Sequence, residues 1–309
     1  MPQRTANTVV VICGPTASGK SRLALALAQR MNGAVINADS MQVYRGLEVL
    51  TAQPDAAARA GAPHRLYGIL DAADPCSAGR WRAMAVAEID RARGRGLAPI
   101  VAGGTGLYLK ALMEGIAPVP PIPAEVRARV RARHAALGDA AFHAELAARD
   151  PAGAGAVRAS DPQRMIRAME VIEATGRPLA AWQAEAADRA PAHAFRVVLL
   201  DPPRARLHAA IEARFDRMVA AGALEEVRAL AGRRLDSALP AMKALGVREL
   251  MAACRGEATP AEAAARAKAA SRAYARRQGT WFRRQIIADY RYKEQFSELL
   301  CEKILSEIL

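Results

Sequence analysis

At 309 residues the chain is long for one compact unit, so one large domain with an inserted or appended one is the default expectation. An apolar fraction of 52% excludes a disordered polymer, and 5% aromatics point to an aliphatic, largely helical core. Forty-four basic against thirty-one acidic residues leave a net charge of +13, which favours a polyanionic partner, although a generally arginine-rich composition gives the same excess.

In chain order, residues 8–13 are a β-branched run ending at glycine and read as a buried strand. A helix follows from Ser21 to Met31, with Leu23, Leu25, Ala26 and Leu27 among good helix formers. Ala34-Val35-Ile36-Asn37 is a second strand leading to Asp39, and Leu66 to Leu70 a candidate third. Trp81 to Gly94 reads as a helix, and Pro99-Ile100-Val101-Ala102 as a strand closed by Gly103-Gly104. Strands alternating with helices imply a parallel sheet covered on both faces.

The texture changes at Pro118-Val119-Pro120-Pro121-Ile122-Pro123, and from Glu125 to about Glu185 no strand is evident. Arg196-Val197-Val198-Leu199-Leu200 is again a strand, followed by helices to the end. The predicted fold is therefore α/β: a parallel sheet flanked by helices, with an inserted all-helical domain. The expected boundaries are 1–117 for the first part of the core, 118–192 for the insertion, 193–290 for the core completion with basic helices, and 291–309 for a tail. Phe296, Leu299, Leu300, Ile304 and Ile308 give the tail the spacing of an amphipathic helix.

Cys13, Cys76, Cys254 and Cys301 are scattered, which suggests neither a zinc site nor a disulfide framework. The apolar run from Val9 to Cys13 is too short for a signal sequence, and no other stretch would span a bilayer. A cytoplasmic protein without a membrane partner is expected.

Gly14-Pro15-Thr16-Ala17-Ser18-Gly19-Lys20-Ser21 matches G-x-x-x-x-G-K-[ST] between a strand and a helix, as a P-loop requires. Its N–H groups and the helix N-terminus would cradle phosphate oxygens, Lys20 would reach a terminal phosphate, and the Ser21 hydroxyl would hold Mg²⁺. In so arginine-rich a chain, a retained lysine marks a place for a compact ammonium. Asp39, at the ligand-binding edge of a parallel sheet, could hold metal, act as a general base, or cap the next turn with Ser40. Asp201, after Val197-Val198-Leu199-Leu200, is the other acidic candidate. Gly103-Gly104-Thr105-Gly106 should approach the same edge, with the Thr105 hydroxyl available. Two basic tracts stand out. Arg127, Arg129, Arg131 and Arg133 spread around one helix. Arg266, Lys268, Arg272, Arg276, Arg277, Arg283 and Arg284 surround Tyr274, Trp281 and Phe282, which suits either base stacking with phosphate contacts or a solvated face over core aromatics.

Taken in order, these motifs resemble the tRNA dimethylallyltransferase family. The P-loop, the stretch from Ile36 to Tyr44, Gly103 to Tyr108, Asp161 to Val171 with Thr175-Gly176, Ile211 to Met218 and Tyr274 to Arg283 carry the resemblance to about residue 285. It implies a core related to P-loop kinases but used to move a dimethylallyl group from dimethylallyl diphosphate to the exocyclic amine of the adenosine just 3′ of the anticodon. Residues 14–21 with Mg²⁺ and Arg214 would hold the diphosphate, Asp39 would take the proton, and Thr105 would contact the reacting region. The tRNA anticodon stem-loop would meet Asp39, Ser40, Met41, Gln42, Thr105, Arg127, Gln163, Arg164, Met165, Ile166, Arg167, Lys243, Gly246, Arg248, Arg276, Arg277, Gln278, Trp281 and Arg283. A monomer is expected. Departures fall at Leu50 and Gln53, where the family has glycine and lysine, and at Val247, where it has an aromatic. The alternatives are a P-loop kinase, a prenyltransferase of free adenine nucleotides, or an RNA-binding protein without activity.

Overall fold

The computed structural model describes residues 8–186 and 193–308. The first half of the chain forms β1 (Thr8–Cys13), α1 (Lys20–Arg30), β2 (Gly33–Asn37), α2 (Ala56–Gly61), β3 (His64–Arg65), α3 (Ala78–Gly94), β4 (Ala98–Gly103) and α4 (Gly106–Glu114). A helical stretch follows: α5 (Ala124–Arg149), α6 (Pro151–Ala156), α7 (Pro162–Thr175) and α8 (Leu179–Ala186). The chain then forms β5 (Ala194–Leu200), α9 (Arg204–Ala220), α10 (Ala223–Gly232), a 3₁₀ turn at Pro240–Lys243, α11 (Val247–Cys254), α12 (Pro260–Gln285), β6 (Tyr290–Tyr292) and α13 (Glu298–Ile308).

The six strands form one parallel sheet in the order β3-β2-β4-β1-β5-β6. Val9 to Cys13 are buried throughout, the continuous apolar run of a strand covered on both faces. On one face Trp81, Ile89, Leu109, Phe215, Val227 and Leu250 belong to a single core. On the other, Leu23 and Leu27 of α1 pack with Leu300, Cys301 and Ile304 of α13. Parallel pairing brings the C-terminal ends of β1, β2, β4 and β5 to one edge, so the P-loop, Asp39, Thr105 and Asp201 are delivered there by topology.

Contacts divide the described residues into two compact units, 8–113 with 193–308 and 114–186. The second is all helical and has its own core of Ile122, Val126, Val130, Phe142, Leu146, Met165, Met169 and Val171. Its longest helix, α5, breaks at Gly138, where φ is 73°.

Three expectations are corrected. Leu66 to Leu70 is not a strand: only His64–Arg65 pairs with β2, and positive φ at Leu66 and Gly68 turns the chain away. The chain does not stay helical after β5, because Tyr290–Tyr292 adds a strand at the sheet's edge. The tail thus begins inside the sheet, too short a run for alternation to reveal. In α13 the buried face is Leu300, Cys301 and Ile304, whereas Leu299 is 81% exposed.

Candidate active site

The loop from Gly14 to Ser21 leaves β1 and enters α1. Gly14 has φ 152°, and a Cβ there would stand 2.4 Å from Leu200 O on β5, so the tight exit demands glycine. Gly19, at the N-cap of α1, offers no side-chain cap, which leaves first-turn N–H groups to a ligand. Thr16 Oγ1 accepts from Arg214 Nη2 at 2.5 Å, bringing a guanidinium from α9 to the loop. Lys20 Nζ donates to Pro15 O at 3.2 Å. The Ser18 hydroxyl is buried without a hydrogen-bond partner, as a cradle for phosphate would leave it. Burial draws the Lys20 ammonium down to about 8, with Asp39 opposing and Arg214 adding to the effect. Burial likewise lowers Arg214. Two desolvated cations therefore meet at the loop, which favours a multiply charged anion. Cys13, beneath the loop, is pushed by burial up to about 12, an inert thiol.

Asp39 lies across from this cradle. A Cβ on Gly104 would be 3.6 Å from both Asp39 Oδ2 and Lys20 Cε, so carboxylate and ammonium converge over the β4 turn. Asp39 Oδ1 accepts from Met41 N at 3.0 Å, and Asn37 Oδ1 accepts from Asp39 N at 2.8 Å. One carboxylate oxygen thus fixes the turn while Oδ2 faces Gly104. Capping and a chemical role coexist in this residue. Thr105 Oγ1 accepts from Ser40 N at 2.9 Å and donates to Ser40 Oγ at 3.1 Å, so it buttresses the Asp39 turn. Tyr67 and Tyr274 lie near enough to feel Asp39; burial, then that charge, raises both phenols.

Gln278 on α12 is buried, with both amide ends committed: Oε1 accepts from Thr16 N at 2.8 Å, and Nε2 donates to Gly104 O at 2.7 Å. Read from sequence as an RNA contact, it is a strut between the P-loop and the β4 turn. Met165, also expected to face RNA, is fully buried in the helical unit. Gln42 holds Thr51 O and Ala52 O with its amide. Arg283 pairs with Asp201 at 3.1 Å, which removes both from the free charges expected at the edge. Asn37 was not singled out from sequence, although a polar residue closing a buried apolar strand is the signal that marks it.

The remaining basic residues divide in two. In the helical unit, Arg129 pairs with Glu173 at 2.7 Å and Arg133 with Glu145 at 2.8 Å, so these two guanidinia, though exposed, are held by carboxylates of the same unit. Arg127 is exposed without an ion pair among the described residues, close enough to Arg167 to feel its charge. Gln163 and Arg164 are exposed in the first turn of α7, and Ile166 is half-buried behind them. In the larger unit Lys268 and Arg272 pair with Glu212, while Arg276, Arg277 and Arg284 stay exposed beside half-buried Trp281. A 400 Å³ hollow is lined by Arg276, Arg277, Thr280, Trp281, Arg284 and Gln285. A second, of 490 Å³, includes Lys243 and Arg248, with Gly246 capping α11 behind it. No group of three or more His, Cys, Asp or Glu side chains among the described residues could hold a metal by itself. Among them no helix is long and apolar enough to cross a membrane.

The IPP transferase family profile matches residues 42–285, and the isopentenyl transferase profile residues 7–72. The tRNA dimethylallyltransferase of Rhodospirillum centenum is 56% identical over 285 residues, covering 92% of this chain and 91% of that protein. Its namesake from Rhodospirillum rubrum is 53% identical over 302 residues, covering 97% and 92%. The crystal structure of a tRNA isopentenylpyrophosphate transferase from Bacillus halodurans aligns with a TM-score of 0.69 at 31% identity, over 98% of this chain and 97% of that one. A eukaryotic dimethylallyltransferase acting on tRNA aligns with a TM-score of 0.74 at 25% identity, over 89% and 70%.

Proposed function

The chain belongs to the IPP transferase family, and we propose that it moves the dimethylallyl group of dimethylallyl diphosphate to N6 of the adenosine 3′-adjacent to the anticodon in tRNA. The carbon–oxygen bond to the diphosphate breaks, a carbon–nitrogen bond to N6 forms, the diphosphate leaves with the bonding electrons, and N6 gives up a proton. The observation that carries this reading is the convergence of Lys20 and Asp39 over the β4 turn, with Arg214 near enough to feel both charges. Cations hold the leaving group while a carboxylate stands where an amine would release its proton.

The loop N–H groups, the Ser18 hydroxyl, Lys20 and Arg214 bind the diphosphate and stabilise the charge that builds on it. The Asp39 carboxylate accepts the N6 proton at Oδ2, since Oδ1 is held by Met41 N. Thr105 and Ser40 keep that turn in place. Ser21 is exposed in the first turn of α1, and its hydroxyl suits Mg²⁺, which would take most of its ligands from water and phosphate oxygens and need only that one from the protein. When bound it supplies further positive charge to the leaving diphosphate. Exposed Arg127, Arg276, Arg277, Lys243 and Arg248 offer phosphate contacts, and Trp281 a ring for stacking on an extruded base. The names of the relatives favour prenyl transfer over phosphate transfer, and tRNA over free nucleotides.

Incubation with unmodified tRNA, dimethylallyl diphosphate and Mg²⁺, followed by nucleoside mass analysis, tests the proposal. The expected product is a dimethylallylated adenosine at the position after the anticodon. Unmodified tRNA with a prenylated free nucleotide, or phosphate transfer from ATP, would overturn it.

A further inference from the structure

Gln295 and Phe296, between β6 and α13, lie against the loop that cradles the phosphates in the proposed reading. Gln295 Nε2 donates to Ala17 O at 3.0 Å. Ala17 is an alanine at φ 63°, a left-handed conformation that a residue with a Cβ holds only when its surroundings enforce it. Phe296 closes on the next turn of the same loop: a Cβ added to Gly19 would stand 2.9 Å from its Cβ and its backbone N. The Arg22 guanidinium lies 4.8 Å above the Phe296 ring, tying it to the first turn of α1.

The segment carrying these two residues is itself fixed at both ends. Before it, Tyr292 O accepts from Asp201 N at 2.8 Å at the end of β5. After it, Leu300, Cys301 and Ile304 are buried, and Glu298 bonds Arg30 at 2.7 Å on the last turn of α1. A rigid clamp therefore presses on Ala17 and Gly19 from outside the reaction site, opposite in the sheet order to β2 and its Asp39.

We propose that Gln295 and Phe296 are positioning residues for diphosphate binding. They hold Ala17–Gly19 in the shape whose N–H groups meet the donor's phosphates, and without them part of the binding free energy goes into ordering the loop. Neither touches reacting atoms. The inference rests on the reading that this loop binds the donor's diphosphate.

The test uses the whole chain with Gln295→Leu, Phe296→Ala and Phe296→Tyr, and Leu299→Ala as an exposed tail control. Calorimetry with pyrophosphate and Mg²⁺ should show affinity falling about 3- to 10-fold in Gln295→Leu and Phe296→Ala, the size of one lost hydrogen bond or ring contact. The KM for dimethylallyl diphosphate should rise in step, while kcat and tRNA affinity stay near the parent's; Gln295→Leu should also keep the melting temperature, whereas Phe296→Ala, which removes a ring packed on the α1–α13 core, lowers it. Phe296→Tyr, which keeps the stack on Arg22, and Leu299→Ala should behave as the parent. Unchanged pyrophosphate affinity in both loss variants would overturn the inference. So would parallel losses of tRNA affinity and melting temperature, since the tail would then only complete the fold. Weaker pyrophosphate binding in a chain that transfers no prenyl group would support the brace while removing the donor assignment. A parent that binds no pyrophosphate would sink both.

Discussion

In the proposed reading, Lys20 makes donor binding depend on pH in a defined direction. Burial draws its ammonium down to about 8 in the free protein, and a bound diphosphate, placing negative charge beside it, raises it again. Above pH 8, binding must therefore take up a proton, so affinity falls as pH rises. With a pKa of about 8, roughly ten-elevenths of the free protein carries a charged Lys20 at pH 7 and about one-eleventh at pH 9. Affinity for dimethylallyl diphosphate should then drop about tenfold between pH 7 and pH 9, or about 1.4 kcal/mol. The ligand adds little slope, since the last phosphate proton, with a pKa of about 6, is mostly gone above pH 7. Calorimetric titrations in buffers of different ionisation enthalpy measure both affinity and proton uptake. Uptake should approach about 0.9 proton per site at pH 9. In Lys20→Arg, whose guanidinium does not titrate, the profile should be flat at a lower affinity. A flat profile in the parent would refute the reasoning, because it would mean that no buried, displaced ammonium meets the ligand.

Three further outcomes follow from the same geometry. Asp39→Asn keeps the oxygen that accepts from Met41 N but loses the base, so kcat should fall by about 10²- to 10⁴-fold with melting temperature and tRNA affinity nearly unchanged; turnover within a factor of about three of the parent would exclude the base role. Gln278→Met leaves Thr16 N–H and Gly104 C=O without their partner, and urea unfolding should show a loss of about 1–3 kcal/mol per stranded group. Arg276→Ala with Arg277→Ala should weaken tRNA binding and reduce its salt slope by about one per lost phosphate contact, whereas Arg129→Ala with Arg133→Ala should chiefly lower the melting temperature, since those guanidinia are held by Glu173 and Glu145.

The parts of the fold legible in sequence are those whose signal is local. Val9 to Cys13 running into Gly14 marks a strand and a P-loop within a dozen residues, and parallel topology then carries Asp39 and Thr105 to the same edge. The illegible parts depend on partners far along the chain. Gln278 meets Thr16 across 262 positions, and its neighbours Arg276 and Arg277 are exposed, so a basic, aromatic-bearing tract reads as uniformly RNA-facing until the helix phase is known. The same holds for Arg129, whose Glu173 comes from α7, while Arg133 meets Glu145 only because α5 breaks at Gly138. Tyr290–Tyr292 joins the sheet through β5 alone, and three residues carry no alternation to announce it.

The site also explains how a phosphate-binding core can serve alkyl transfer. In a kinase the cradle steadies the group being transferred; in the proposed reaction the bond that breaks is carbon–oxygen, and the cradle holds what is left behind. The negative charge that develops belongs to the diphosphate, so in that reaction Lys20 and Arg214 would stabilise the transition state more than the bound ground state. Their burial is what makes this effective, because it removes the water that would otherwise screen them. The acceptor's requirement is the opposite one, a negative group where a proton leaves, and in the proposed reading Asp39 meets it from the end of β2, beyond β4 in the sheet. Gly104 lies beside both side chains, with space for no side chain of its own because Gln278 Nε2 would stand 2.5 Å from its Cβ. A bare glycine turn lets both charges approach the substrates, each at its own end of the breaking and forming bonds in the proposed reaction, and Gln278 ties that turn to the loop.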